Sequence, residues 1–209
     1  MHTLQDYFNG TALQTSLWTQ FTASGGTCTY ATTGASMNYP NPTNTSNDAD
    51  IASNTTYDLT GSYGLVQVTN APSGLNSDAN FRMKIDTTNY VQWQQEGTTL
   101  LGAYVVGGVQ TIKINLTYNA TTHRWWRIRE DAGTTYWDTS SDGLTWTNRA
   151  SNANPITLTA LTMQFAAVSF GADTALTPFT FNRFNAPLLG AKLRNAGLRP
   201  HPFSPGLAR

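Results

Sequence analysis

The chain has 209 residues and no net charge, and charged side chains make up only 11% of it, against about 25% in an ordinary soluble domain. Uncharged polar residues replace them: 34 Thr, 18 Asn and 13 Ser favour extended strands and tight turns over helices. This composition excludes a helical bundle, the single cysteine excludes an internal disulfide, and no apolar run is long enough to predict a membrane span.

Eleven short runs of β-forming or alternating residues predict β-strands. In chain order they are 27–30, 36–39, 64–69, 80–86, 90–95, 100–106, 111–118, 123–130, 134–139, 161–170 and 179–184. Turn-forming residues lie between them, and no helical pattern separates any two. The sequence therefore predicts an all-β fold, a two-sheet antiparallel sandwich, in which the aromatic first segment (Tyr7, Phe8) lies beside the aromatic last strand (Phe179, Phe181).

The segment 39–54 is rich in Asn, Thr and Pro and predicts a surface loop. Its Asn44, Asn47, Asp48 and Asp50 carry oxygen atoms of the kind that bind calcium. The spacing does not match an EF-hand, however, and such clusters are common in plain surface turns. The three histidines are scattered along the chain, so we expect no metal and no cofactor.

The most specific local pattern is a strand over 123–130, a Gly turn, an aromatic strand and the segment Ser140–Trp146. Together with residues 6–9 and 17–19 and the closing segment 179–184, it resembles the concanavalin A-like lectin and glucanase jelly roll, including versions found in bacteriophage structural proteins. The resemblance covers about residues 4–185 and implies a jelly-roll, lectin-like domain over residues 1–185.

Ser140–Trp146 also resembles the Asp-box of sialidases, but one residue is missing between Asp142 and Gly143. We therefore interpret this segment as a structural turn. Asp142 accepts backbone N–H bonds, Gly143 takes a positive φ, and Trp146 packs inward.

The charge is divided along the chain. Residues 1–182 hold seven basic and all twelve acidic side chains, a net charge of −5, whereas residues 183–209 hold five basic ones and no acidic one, a net charge of +5. Residues 186–209 are also rich in proline, which disfavours strands and helices, and they resemble C-terminal extensions of actinobacteriophage minor tail proteins. We predict that they form an extended basic arm that anchors the domain to another chain, with Phe203 and Leu207 as apolar anchors and Arg194, Arg199 and Arg209 as polar contacts.

A glycosidase of the jelly-roll type needs two carboxylates flanking the scissile bond. The chain has no Glu-x-Asp-x-x-Glu run, and its two glutamates, Glu96 and Glu130, lie in predicted turns. No nucleophile elbow, zinc-protease or P-loop motif occurs either. We therefore predict no catalytic residues and no enzymatic activity, with a degenerate glycosidase as the disfavoured alternative.

Sugar rings dock on exposed aromatic faces with polar neighbours. Alternation along the strand over 123–130 places Trp125 and Arg127 on the face opposite Trp126. Trp125, Arg127 and Trp137 are therefore the candidate carbohydrate-binding residues. The other interpretation is that the tryptophans fill the core or cover a sheet.

These observations predict a non-enzymatic bacteriophage virion protein, a minor tail or tail-tip protein that is made in the host cytoplasm without export and held by its arm. The alternatives are a capsid decoration protein of the phage head and a stand-alone carbohydrate-binding module. The expected partners are other tail or capsid proteins, further copies of this chain and a host cell-surface polysaccharide. We expect no membrane contact, and five positive charges are too few to predict nucleic-acid binding.

Overall fold

The computed structural model describes residues 4–22, 26–38, 47–71, 76–171 and 177–186. Within these ranges the chain forms fourteen β-strands and no helix. The strands are β1 (Trp18–Thr22), β2 (Thr27–Ala31), β3 (Gly34–Asn38), β4 (Asn47–Ser53), β5 (Tyr63–Asn70), β6 (Ser77–Lys84), β7 (Tyr90–Glu96), β8 (Thr99–Val106), β9 (Val109–Thr117), β10 (Trp125–Asp131), β11 (Thr134–Ser140), β12 (Thr147–Ala153), β13 (Thr162–Ser169) and β14 (Phe179–Asn182).

The strands form two sheets of seven strands each. Sheet I has the order β1-β4-β13-β6-β7-β8-β9, and sheet II has the order β12-β11-β10-β5-β14-β3-β2. All neighbouring strands pair in the antiparallel direction. The predicted all-β, two-sheet antiparallel sandwich is therefore confirmed.

All eleven predicted strands are present, with small differences at their ends, and the described residues add β1, β4 and β12. The prediction of a surface loop over 39–54 is wrong from Asn47 onward, because β4 pairs with β1 on one side and β13 on the other. Ala49 and Ile51 of β4 are fully buried. Inward packing at alternate positions thus outweighs the low β-propensity of the Asn and Asp residues around them.

The two ends of the domain lie side by side, as predicted. The backbone N–H of Asp6 donates to the carbonyl of Phe184 at 3.0 Å, and the ring of Phe8 lies edge-on to that of Phe181 at 5.1 Å. The Asp6 carboxylate accepts the backbone N–H of Phe8 at 2.7 Å and the indole N–H of Trp18 at 2.9 Å. These hydrogen bonds and the ring contact therefore fix the first segment against the core.

Aromatic rings from both sheets fill the core. Phe165 of sheet I stacks on Phe181 of sheet II with ring centres 4.3 Å apart. Two buried indoles cross between the sheets: Trp93 donates to the carbonyl of Arg127 at 3.0 Å, and Trp137 donates to the carbonyl of Gln92 at 2.9 Å. Because a buried indole N–H needs an acceptor, these two hydrogen bonds fix the position of β7 against sheet II.

The predicted arm residues Arg194, Arg199, Phe203, Leu207 and Arg209 lie outside the described residues, as does Asn44 of the Asn and Asp cluster in segment 39–54. Among the residues that the structure describes, no helix is long and apolar enough to span a membrane.

Candidate functional site

The outward side of sheet I carries an unusual set of polar side chains. Strands alternate their side chains between two faces, and the inward residues Phe81, Trp93 and Phe165 belong to the core. Their neighbours along the strands therefore point outward. We call this surface the polar face and define it by Asp50 of β4, Gln164 of β13, Asp78, Asn80 and Arg82 of β6, and Gln92, Gln94 and Glu96 of β7.

Two carboxylates meet on the polar face. Asp78 and Glu96 are direct partners in the β6–β7 pairing. The side-chain amide of Gln94 donates to Asp78 Oδ2 at 2.9 Å and to Glu96 Oε2 at 3.3 Å. Because both oxygens accept from one nitrogen, the distance between Asp78 Oδ2 and Glu96 Oε2 cannot exceed the sum of the two hydrogen-bond lengths. That limit is shorter than the roughly 6.5–9.5 Å of inverting glycosidases and allows the roughly 5–5.5 Å of retaining ones.

The two carboxylates share a partly buried environment. Burial raises the pKa of Asp78 to about 6, and the negative charge of Glu96 adds to this rise, while the hydrogen bond from Gln94 and the charge of Arg82 act against it. A carboxyl group whose pKa is close to neutral can hold a proton and deliver it to a leaving group. The pair therefore has the electrostatics of a proton donor beside a carboxylate.

A chain of hydrogen bonds orients the amides around this pair. Arg82 Nε donates to Gln92 Oε1 at 3.0 Å, and Gln92 Nε2 donates to Gln94 Oε1 at 2.7 Å. Gln110 of β9 also donates to Gln94 Oε1, at 3.1 Å. Because the guanidinium can only donate, Gln92 presents its oxygen to Arg82 and its amide nitrogen to Gln94, and this fixes the direction of both glutamine amides. Gln94 is thus held with its N–H groups toward the carboxylates.

The middle of the polar face holds further buried polar groups. Gln164 Nε2 donates to Asp50 Oδ2 at 2.7 Å, and both side chains are more than nine-tenths buried. Asn80 has no exposed surface, and neither atom of its amide has a hydrogen-bond partner among the residues that the structure describes. An unsatisfied buried amide costs about 1–3 kcal/mol and is rare in native structures, so it is a common sign of a site that is completed by a ligand or water.

Exposed aromatic rings flank these polar groups. Phe21 of β1 is 55% exposed and pairs with Asp50, which places it on the outward side of sheet I. Phe170 is 42% exposed, and its backbone N–H donates to the carbonyl of Asn76, so the pairing of β13 with β6 continues to it. Tyr90 lies at the other end of β7, where it pairs with Lys84, and the guanidinium of Arg82 lies 5.3 Å from the centre of its ring. The polar face thus combines amides, carboxylates and ring faces, the groups that bind sugars.

The structure separates the three sequence-predicted sugar-binding residues. Trp125 and Arg127 share the outward side of sheet II, but Trp137 points into the core and is fully buried. Trp125 is only 2% exposed, and the turn at Gly143 packs directly on its ring. A platform made of all three residues is therefore not assembled. Only Arg127 offers a partly exposed side chain there, and its role in glycan binding stays a prediction.

Arg127 and Arg129 are held by their neighbours. Both donate to Asp138, at 2.8 and 2.9 Å. The guanidinium of Arg127 also lies 4.1 Å from the centre of the Trp146 ring, and that of Arg129 lies 3.7 Å from the centre of the Tyr136 ring. Trp146 is partly exposed rather than packed inward, which corrects the prediction for it. These contacts stiffen the outer side of sheet II.

Two other acidic residues have structural roles. Glu130 is buried and accepts the backbone N–H groups of Gly61 and Gly133, which lower its pKa. The predicted turn at Asp142 is confirmed: its Oδ1 accepts the N–H groups of Leu144 and Thr145 at 2.8 Å, and Gly143 has a φ of 73°. Both carboxylates are thus occupied by backbone N–H groups of turns.

Among the described residues, no group of three His, Cys, Asp or Glu side chains could hold a metal ion. A cavity of about 570 Å³ opens at one end of the sandwich between Leu59, Tyr57, Met163 and Phe184. Its walls are mainly apolar, and it lies away from the carboxylate pair. It is therefore less suited to a sugar than the polar face is.

No family model and no curated protein matches the sequence. Solved structures do match the fold. A β-glucanase of Bacillus licheniformis has a TM-score of 0.60 and 14% identity, over 87% of this chain and 94% of that chain. The Crh5 transglycosylase has a TM-score of 0.62 and 10% identity, over 87% and 82% of the two chains. The catalytic domain of an endo-1,3-β-glucanase, a laminarinase, of Thermotoga petrophila has a TM-score of 0.60 and 8% identity, over 87% and 93%.

At these identities the likenesses show the fold, and they confirm the concanavalin A-like jelly roll expected from the sequence. They do not bear on a phage origin. They also correct the prediction that the chain is not an enzyme, because the similar structures are mostly of enzymes that cleave or transfer glycans.

The motif of jelly-roll glycosidases has its acidic residues on one strand, and the carboxylate pair does not match it. On β7 the outward positions 92, 94 and 96 hold two amides and only one carboxylate. The second carboxylate comes from β6 through cross-strand pairing. A usable signal was present, because polar residues alternate with core residues both in 78–82 and in 92–96.

Proposed function

We propose that the chain is a glycan-active enzyme that binds a polysaccharide on the polar face and cleaves or transfers a glycosidic bond between Asp78 and Glu96. The observation that carries this proposal is the cross-strand pair itself: two carboxylates bonded to one amide, one of them with a pKa of about 6. The names of the similar structures, which are glucanases and transglycosylases, support the same class of substrate.

The geometry favours a retaining reaction. Asp78 donates its proton to the glycosidic oxygen while the Glu96 carboxylate attacks the anomeric carbon, so that the leaving sugar departs as an alcohol and a glycosyl ester forms on Glu96. Asp78, now ionised, then takes a proton from water or from a sugar hydroxyl, which attacks the ester and frees Glu96. Gln94 holds both carboxylates in position throughout.

The direct test is release of new reducing ends from a panel of polysaccharides, including β-1,3-glucan, mixed-linkage β-glucan and host envelope glycans. Wild type should release sugar, and Asp78→Asn and Glu96→Gln should each lower the rate by two or more orders of magnitude while binding persists. Asp131→Asn, on the other sheet, is the matched control. Because the acid must carry its proton, the rate should fall as pH rises through about 6.

Unchanged rates in both variants would show that the pair is not catalytic. Binding of a polysaccharide without turnover by wild type would likewise reject the catalytic step, and it would leave the polar face as a binding site only.

We also propose that the chain works on a bacteriophage particle as a minor tail protein, so that its glycan lies in the host envelope. The division of the sequence into an acidic body and a basic arm supports this proposal, as does the resemblance of residues 186–209 to tail-protein extensions. Immunogold labelling of purified particles tests it: label on the tail agrees with the proposal, label on the head favours a capsid decoration protein, and no label favours a protein outside the virion.

A further inference from the structure

A groove of about 500 Å³ opens on the outward side of sheet I, away from the carboxylate pair. Its lining includes Thr19 and Phe21 of β1, Ala52 of β4, Lys84 of β6 and Thr162 of β13. Phe21 presents more than half of its surface to solvent. An aromatic face beside hydroxyl and ammonium groups has the composition of a sugar subsite rather than of an apolar docking groove.

Phe21, at the edge of this groove, and Gln94, which contacts both carboxylates of the pair, lie at opposite ends of one row of residues. Strand pairing places Phe21, Asp50, Ala166, Asn80 and Gln94 side by side on five neighbouring strands. Four inter-strand spacings separate the ends of the row, a distance of about 19 Å. Gln94 contacts both carboxylates, so the row leads from Phe21 directly to the pair.

The row contains a polar group that the protein leaves unsatisfied. The amide of Asn80 is fully buried and without a hydrogen-bond partner among the described residues, and its neighbour in the row, Ala166, carries only a methyl group. Because neither Asn80 nor Ala166 has any exposed surface, a hydroxyl-rich ligand over this row would reach that amide only through a bridging water molecule. The Asp50–Gln164 pair supplies a second polar contact toward the Phe21 side.

We propose that the groove at Phe21 is a remote sugar subsite, at which a sugar ring of the same glycan chain that reaches Asp78 and Glu96 stacks on the phenylalanine. This inference rests on the proposed function. It names the substrate class: a long glycan that crosses strands β7, β6, β13, β4 and β1, in preference to a mono- or disaccharide. Binding energy from this remote ring positions the reacting bond at the carboxylates.

The test is the dependence of affinity on chain length. Calorimetric titrations would use the full chain carrying Asp78→Asn, which prevents turnover, and β-1,3- and β-1,4-linked gluco-oligosaccharides from disaccharide to hexasaccharide. Adding Phe21→Ala should weaken hexasaccharide binding about three- to tenfold, the effect of losing one aromatic stack. It should leave disaccharide binding unchanged. Phe21→Trp should retain the hexasaccharide affinity.

Leu144→Ala removes an equally exposed apolar side chain from a turn of the other sheet and is the matched control. If Phe21→Ala weakens short and long oligosaccharides equally, or weakens neither, the remote subsite is wrong while the carboxylate pair stands. If the wild-type chain binds none of the oligosaccharides and turns over no polysaccharide, the proposed function and this inference both fail.

Discussion

Asp78 and Asp142 carry the same side chain in opposite environments. Burial on the polar face, with the charge of Glu96 nearby, raises the pKa of Asp78 to about 6. In the exposed turn after β11, the backbone N–H groups of Thr145 and then Leu144 lower the pKa of Asp142 to about 2. The first environment weakens the charged form and suits proton transfer, whereas the second stabilises the charged form and suits a structural cap.

Replacing Asp78 by Asn should stabilise the fold at neutral pH. The folded-state pKa lies above the unfolded value, so wild type loses stability as pH rises from about 4 to about 6, and the loss is complete above pH 6. Asp78→Asn removes this loss without changing the shape of the side chain. Urea denaturation at a series of pH values should show a gain of about 1–3 kcal/mol above pH 6 that shrinks toward pH 4.

Asp142→Asn is the control of opposite sign. Its folded-state pKa is depressed, so the charge stabilises the fold above about pH 4, and that contribution is lost as pH falls toward 2. The variant should therefore be less stable than wild type at neutral pH. An Asp78→Asn protein that is less stable than wild type at pH 7 would contradict the assignment of a strained, desolvated carboxyl group.

The turn between β11 and β12 covers part of the outward side of sheet II. Asp142 caps two backbone N–H groups, Gly143 takes a φ of 73°, and the turn covers Trp125. A Cβ atom on Gly143 would lie 2.7 Å from the indole ring of Trp125. This explains why Trp125, on the outward side of sheet II, is buried without being part of the core.

Gly143→Ala should cost about 2–4 kcal/mol, because it combines left-handed backbone strain with a clash against a buried ring. Gly61→Ala is the matched control: Gly61 has a φ of 63°, but a Cβ atom there meets nothing within 4 Å. It should cost only about 1 kcal/mol from strain. Equal losses in the two variants, measured by thermal denaturation, would show that the turn does not press on Trp125.

Most strands of the fold could be predicted from the sequence, whereas strand β4 and the pairing of Asp78 with Glu96 could not. Runs such as 90–95 alternate between core and surface, so their strands and the antiparallel sandwich follow from pattern and turn chemistry. Strand β4 was missed because Asn and Asp surround Ala49 and Ile51 in a segment with the composition of a turn. Partial burial of Asp78 and its pairing with Glu96 depend on register between strands, which local pattern does not contain.

In the described domain, the last residues contact both the first segment and β5. Asn185 donates from its backbone to Leu65 and from its side chain to Leu4, and its side-chain oxygen accepts the N–H of Leu65. Ala186 is 2% exposed. The described contacts therefore reach at least Ala186, one residue beyond the predicted boundary at 185, and the division between domain and arm stays a prediction.

A chain that ends after Ala186 should fold with an unchanged melting temperature and an unchanged rate on polysaccharides, because both sheets, the aromatic core between them and the carboxylate pair are built from residues before 187. It should no longer be retained on phage particles if residues 187–209 are the anchor. Circular dichroism and particle sedimentation measure the two outcomes separately. Failure to fold would make the arm part of the core, and normal retention on particles would make it dispensable for anchoring.

A crystal structure of Asp78→Asn grown with a hexasaccharide would show directly whether the polar face of sheet I binds the glycan. We expect one sugar chain across the strands of sheet I, with a glycosidic oxygen beside position 78, the adjoining anomeric carbon facing Glu96 and a ring stacked on Phe21. A sugar bound instead on the outer side of sheet II, against Arg127 and Trp146, would show that the polar face is not the binding site.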